Sequence, residues 1–144
     1  MTVRAWQRQF LTSVSALSVE VGMPPSILRV FAWMIVCEPV EQSAEQLRDA
    51  LALSAGSVSA ATTMLVRAGM VERARRPGER RLYYRVRDDA WEQVLRQRIE
   101  ATSHLRSIAD TVLARAPGDQ HRLRDMRSFY ASMEKVLRAG VRKP

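Results

Sequence analysis

Small and hydroxyl-bearing side chains crowd one short stretch of this chain: Ser54, Ala55, Gly56, Ser57, Ser59, Ala60 and Thr63, with Arg67 a turn further on. If a helix starts at Ser54, its first backbone amides face outward with nothing bulky in front of them. That arrangement receives a phosphate oxygen at Ser54, Gly56 and Ser57. Ser59, Ala60 and Thr63 follow one turn along, where a hydroxyl donates to or accepts from a base edge and a methyl group meets the thymine methyl. Arg67 lies too far along for more than a phosphate. Taken singly, these residues serve as helix caps and solvated surface.

The neighbouring charge gives them a common purpose. The chain carries 23 Lys and Arg against 15 Asp and Glu, a net charge of +8. Between Arg67 and Arg87, eight arginines (Arg67, Arg73, Arg75, Arg76, Arg80, Arg81, Arg85 and Arg87) face two glutamates, Glu72 and Glu79, so six of the net charges sit on this one stretch. A dense basic run centred on a Pro-Gly turn is the footprint of an element that meets phosphates. Arg80 and Arg81 flank the turn and suit a narrow minor groove, while Arg73, Arg75, Arg76 and Arg85 suit phosphates. If about six arginines per dimer neutralise phosphates, log affinity falls with log salt at a slope near minus five. The competing reading is an interaction module whose basic hairpin binds an acidic protein partner.

Other chemistry is thinly represented. There is no Ser-His-Asp frame, glycine-rich phosphate loop or paired acidic site, so the chain reads as no enzyme. The single cysteine, Cys37, has no partner for an intrachain disulfide and sits near a helix carboxyl end, which disfavours the thiolate; it reads as packed and inert. His104 and His121 lack neighbours at metal spacing and read as helix-surface residues, so no metal or other cofactor is expected. Trp6, Phe10, Trp33 and Trp91 are candidates for the apolar wall of an effector pocket, against the plainer expectation of core or dimer packing. No apolar run approaches the roughly 18 residues of a membrane span, and the first residues lack the order of a secretory signal, which predicts a cytoplasmic protein with no membrane partner.

The elements that must position these residues follow from periodicity. Trp6, Phe10, Val14, Leu17 and Val21 lay one narrow stripe on a first helix that needs a partner. Gly22 stops it, Pro24-Pro25 opens a largely apolar helix over Ser26 to Cys37, and Ser43 with Gln46 forms a capping box for a short third helix. A turn at Ala52 to Ser54 leads into a helix over 54–68 that buries Val58, Ala61 and Met64-Leu65, with Gly69 as its stop. Two short helices around such a turn form a helix-turn-helix. Strands over Met70 to Arg76 and Arg81 to Val86 then flank the Pro-Gly turn, with Leu82, Tyr84 and Val86 on one face and Arg81, Tyr83 and Arg85 on the other. This hairpin, over 70–86, is the wing. A long helix runs from Asp88 or Asp89 to Pro117-Gly118, and a last one from about Asp119 to Ala139.

The expected fold is therefore mainly α with a small β-wing, a winged helix-turn-helix in a single domain over 1–144. Its DNA-binding core spans 24–87, and helical dimerisation elements occupy 1–22 and 88–140. The terminal helices carry more apolar stripe than a core of this size covers, which predicts a two-fold homodimer.

The string SAEQLRDALALSAGSVSAATTMLVRAGMVERARRPGERRLYYRV, Ser43 to Val86, resembles the winged helix-turn-helix of the MarR superfamily, and PGERRLYY at Pro77 to Tyr84 resembles the wing of its GbsR-like branch. The resemblance implies a homodimeric regulator of transcription on double-stranded DNA, a repressor or an activator, with a small-molecule effector in many relatives. Relatives often carry a basic residue where this chain has Ala55, which implies a different distribution of base contacts.

Overall fold

A computed structural model describes residues 2–141; the extreme ends of the 1–144 span lie outside them. The described chain divides into two compact units, Met1–Ala90 and Trp91–Pro144.

The first unit is built around α3 (Pro25–Val36), which the proline pair starts and whose Ile27, Leu28, Val30, Phe31, Ala32, Trp33 and Met34 are buried. A helix that is apolar on most sides has to lie inside, and its neighbours wrap it accordingly. On one side lies α1 (Ala5–Ser15), which presents Gln7 and Leu11; the Gln7 amide donates to the Val36 carbonyl at 2.8 Å and so satisfies an end carbonyl of α3. The single helix expected to reach Val21 is in fact broken at Ala16-Leu17 into α1 and a short α2 (Ser18–Val21), closed by Gly22 in the left-handed region at φ 74°. The break turns Leu17 and Val19 outward, and Trp6 on α1 is also exposed. Of the stripe read from the sequence, Trp6 and Leu17 are exposed while Phe10, Val14 and Val21 are half-buried.

Beyond α3 come β1 (Gln42–Ser43), α4 (Ala44–Leu51), α5 (Ala55–Arg67), β2 (Val71–Arg75) and β3 (Leu82–Val86). The capping box forms as expected, the Gln46 amide donating to Ser43 Oγ at 3.2 Å and the Ser43 amide donating to Gln46 Oε1 at 2.8 Å. Ala52 adopts a left-handed conformation, φ 53°, to turn the chain from α4 into α5. The sheet has strand order β1-β3-β2, antiparallel throughout, with Val71 opposite Val86 and Arg75 opposite Leu82.

Three local features differ from, or lie beyond, what periodicity reveals. Gln42 and Ser43 form a short strand that pairs with Tyr84 and Tyr83, a non-local pairing that two residues of sequence do not announce. On β3 the most deeply buried side chain is Tyr83, with Arg76 over its ring and its hydroxyl donating to Glu79. On α5, Thr62 is buried with its hydroxyl returned to the Val58 carbonyl at 2.9 Å, while Met64 is 45% exposed.

The second unit is a helical hairpin of α6 (Ala90–Leu113) and α7 (His121–Ala139). The long helix stops at Leu113, short of Pro117, and Gly118 takes a left-handed turn at φ 74° between the two. Ile99, Thr102 and Ala109 are buried, as is Glu134, at 8% exposure. Glu134 accepts from Arg106 Nε at 3.0 Å and from Arg138 at 3.4 Å, while Asp110 accepts from Arg106 at 3.1 Å and from Arg127 at 2.6 Å. The Arg106–Glu134 and Arg127–Asp110 pairs link α7 to α6. Ile108 and Val112 on α6, and Phe129, Met133 and Val136 on α7, remain exposed.

Candidate nucleic-acid interface

Helix α5 buries Val58, Ala61, Thr62 and Leu65 against the first unit, and by the 3.6-residue period the opposite side is left free. On that side Ser54, Ala55, Gly56, Ser59, Ala60 and Arg67 are exposed, while Ser57 and Thr63 are half-buried. Ser54 is the N-cap: its Oγ accepts from the Ser57 amide at 3.1 Å and donates to Ser57 Oγ at 3.0 Å. One early amide is therefore already satisfied by a side chain. The remaining free amides at the helix start face outward, and Gly56 has no side chain to shield them.

The wing is the β2–β3 hairpin with its turn at 76–81, where Gly78 takes φ 78°. Direct cross-strand partners share a face, so Arg73 lies beside Tyr84 and Arg75 beside Leu82. Arg75 also donates to the Arg80 carbonyl at 3.3 Å across the turn.

The wing's arginines fall into two groups. Arg76 donates to Glu41 at 3.1 Å and lies 3.9 Å from the centre of the Tyr83 ring, whose hydroxyl in turn donates to Glu79 at 2.7 Å. That hydrogen bond to Glu79 is the main reason the Tyr83 phenol is pushed above its ordinary range. Arg76 is thus a brace between the wing and the segment before β1. Arg85 pairs with Glu72 at 2.6 Å, Arg87 with Asp89 at 2.8 Å, and Arg81 with Glu45 of α4 at 3.2 Å. Among the described residues Arg67, Arg73, Arg75 and Arg80 have no carboxylate partner, which leaves their charge available to an outside anion. Sequence reasoning counted the arginines but not the partners at Glu41 and Glu45, which reach the wing only through the fold.

Between α4, α5 and β3 lies a hollow of about 440 Å³ bordered by Glu45 and Arg48 of α4, Ala55, Ser59 and Thr62 of α5, and Tyr84 of β3. Arg48 and Tyr84 were not singled out in the sequence; an isolated arginine on a short helix and a tyrosine in a strand carry no local signal.

The other candidates disperse. Trp33 is 1% exposed in the core and its N–H donates to Gln42 Oε1 at 3.2 Å, so it forms no wall of an open pocket. Phe10 is half-buried on α1, Trp6 is 53% exposed, and Trp91 belongs to the second unit. Cys37 is buried, with its thiol toward the Met34 and Val40 carbonyls, and burial pushes its pKa up to about 11. His104 and His121 are exposed, and among the described residues no group of His, Cys, Asp or Glu is placed to hold a metal ion. No single helix among the described residues is long and apolar enough to cross a membrane.

A helix-turn-helix followed at once by a basic hairpin defines the class, and comparison with known proteins bears it out: the chain belongs to the MarR family of helix-turn-helix transcriptional regulators, in its MmpR5-like group. Residues 89–142 match the MmpR5-like MarR family transcriptional regulators. The chain is 42% identical over 114 residues, covering 76% of this chain and 68% of the relative, to the HTH-type transcriptional regulator MmpR5 of Mycobacterium tuberculosis. It is also similar to a solved structure described as a transcriptional regulator, with a TM-score of 0.79 at 33% identity, covering 93% of this chain and 94% of that one. The family is one of DNA-binding regulators and not of enzymes. The family match lies on the C-terminal helices, outside the Ser43 to Val86 string that resembles the winged helix-turn-helix.

Proposed function

We propose that the chain is a homodimeric repressor in the cytoplasm that binds a pseudo-palindromic operator, with α5 in the major groove and the wing beside it. The observation that carries this reading is the pairing of an uncovered α5 face of small and hydroxyl side chains with a hairpin whose Arg73, Arg75 and Arg80 have no carboxylate partner among the described residues. In this reading Ser54, Ala55, Gly56 and Ser57 receive a phosphate at the helix start, and Ser59, Ala60 and Thr63 meet base edges. Arg67, Arg73 and Arg75 hold phosphates, Arg80 enters the minor groove, and Arg76 and Arg81, paired with Glu41 and Glu45, act mainly by holding the wing in place. The homodimer is supported within each unit by apolar side chains that the unit itself leaves exposed: Trp6, Leu17 and Val19 in the first, and Phe129, Met133 and Val136 at helical spacing on α7 in the second. Release by a small-molecule effector belongs to the same proposal and is supported by the MarR-type resemblance. Kinship with the GbsR-like branch is supported by the wing string PGERRLYY alone.

The test is a gel shift and nuclease footprint on DNA upstream of the protein's own gene. The expected result is protection of two half-sites about 34 Å apart on one face of the duplex, weakening with salt at a slope near minus five. Binding to acidic proteins with no duplex binding at low ionic strength would instead establish the interaction-module reading.

A further inference from the structure

We propose that the hollow between α4, α5 and β3 is a seat for the DNA backbone between the two grooves, with Arg48 and Tyr84 as its phosphodiester ligands. The inference rests on the reading of α5 and the wing as the DNA-facing elements. If α5 occupies a major groove and the turn at 76–81 reaches the adjacent minor groove, the sugar-phosphate strand dividing those grooves must pass over whatever lies between α5 and β3. That place is not flat. Ala55, Ser59 and Thr62 form its α5 wall at helical spacing, Tyr84 its β3 wall, and Arg48 enters from α4. About 440 Å³ accommodates a phosphodiester group with part of its sugar.

The polar groups around this space match that occupant. Among the described residues the Arg48 side chain has no ion-pair or hydrogen-bond partner, and neither does the Tyr84 hydroxyl; both are free to donate. Arg73, also without a carboxylate partner, stands directly across from Tyr84 in the β2–β3 register and so on the same face of the sheet. Ser59, exposed at the rim, supplies a further hydroxyl. The one opposing charge is Glu45, whose carboxylate would repel a phosphate. It is neutralised where it stands by Arg81 at 3.2 Å, a residue of the wing itself. The Glu45–Arg81 pair therefore ties wing to α4 and keeps the mouth of the hollow from being acidic. Two donors without a partner among the described residues, on separate elements that border one phosphate-sized space, are what a backbone contact requires.

The experiment is the salt dependence of affinity for a fluorescent mixed-sequence duplex of about three helical turns, measured for the wild-type protein, Arg48→Ala, Arg48→Lys and Tyr84→Phe, with thermal midpoints as a control on folding. Because a dimer carries the seat twice, Arg48→Ala makes the slope of log affinity against log salt shallower by about 2, and Arg48→Lys restores it. Tyr84→Phe lowers affinity about tenfold at every salt concentration and leaves the slope unchanged, since it removes a donor and no charge. An unaltered slope in Arg48→Ala, with the wild-type protein binding normally, overturns the seat and leaves the α5 and wing reading standing. If the wild-type protein itself leaves the duplex unbound at low ionic strength, it is that underlying reading which fails.

Discussion

Whether a side chain can act depends first on what already holds it, and the arginines of the wing show this residue by residue. Arg76, Arg81, Arg85 and Arg87 each have a carboxylate within the molecule, whereas Arg67, Arg73, Arg75 and Arg80 have none among the described residues. Exposed pairs of this kind contribute little stability, so their main effect is on where the charge points. Cys37 is the opposite case, a reactive type made quiet by burial. Its thiol, pushed from an ordinary 9.0 up to about 11, carries about 100-fold less thiolate at a given pH below that range. Alkylation by iodoacetamide at pH 8 is therefore expected to run at least about 100-fold slower in the folded protein than in the denatured chain. Equal rates in the two states would show the thiol to be accessible and the packing around Met34 and Val40 to be loose. The sequence pointed to a disfavoured Cys37 thiolate through its place near a helix end, whereas the chief cause of the raised pKa is burial. The role of Trp33 was not, because its partner Gln42 lies beyond the helix, in a segment with no periodic signal.

Among the elements, those whose signals are local were the ones the sequence revealed. Ser43-Gln46 and Ser54-Ser57 are caps formed by neighbours, and both are present in the structure as read. Strand β1 escaped because a two-residue strand exists only through its pairing with β3, and the break at Ala16-Leu17 escaped because no glycine or proline marks it. The α6–α7 hairpin is fastened in part by a feature that periodicity does not reveal, the carboxylates Glu134 and Asp110 paired across the helices with Arg106 and Arg127. Hydrogen bonds from Arg106 to Glu134 and from Arg127 to Asp110 are the chief causes holding both carboxyl groups below their ordinary range. A carboxylate depressed in the folded state stabilises it above the unfolded pKa, and that contribution is lost as pH falls through the folded value. The hairpin is thus expected to lose stability on acidification below about pH 4.3, seen as a falling thermal midpoint by circular dichroism. Glu134→Gln should lower the midpoint at neutral pH and flatten the acid-side decline. A variant with the same midpoint and the same decline as the wild-type protein would show that Glu134 does not fasten the hairpin.

For the whole molecule, two separate passages of sequence lead to one class: the Ser43 to Val86 string with its cap, turn and wing, and the C-terminal residues 89–142 that match the MmpR5-like regulators. The first unit presents α5 and the wing, and each unit leaves large apolar side chains exposed. The central claim is that the exposed side of α5 meets the duplex, and Ala60 is the place to test it, because it is exposed and sits amid that side. Replacing it with glutamate keeps a good helix former and sets a negative charge where base edges and phosphates would lie. The decisive measurement is the affinity of Ala60→Glu for a duplex that the wild-type protein has itself selected from random sequence. The account predicts a loss of more than about 100-fold with an unchanged thermal midpoint. Undiminished binding by a folded Ala60→Glu protein would contradict it.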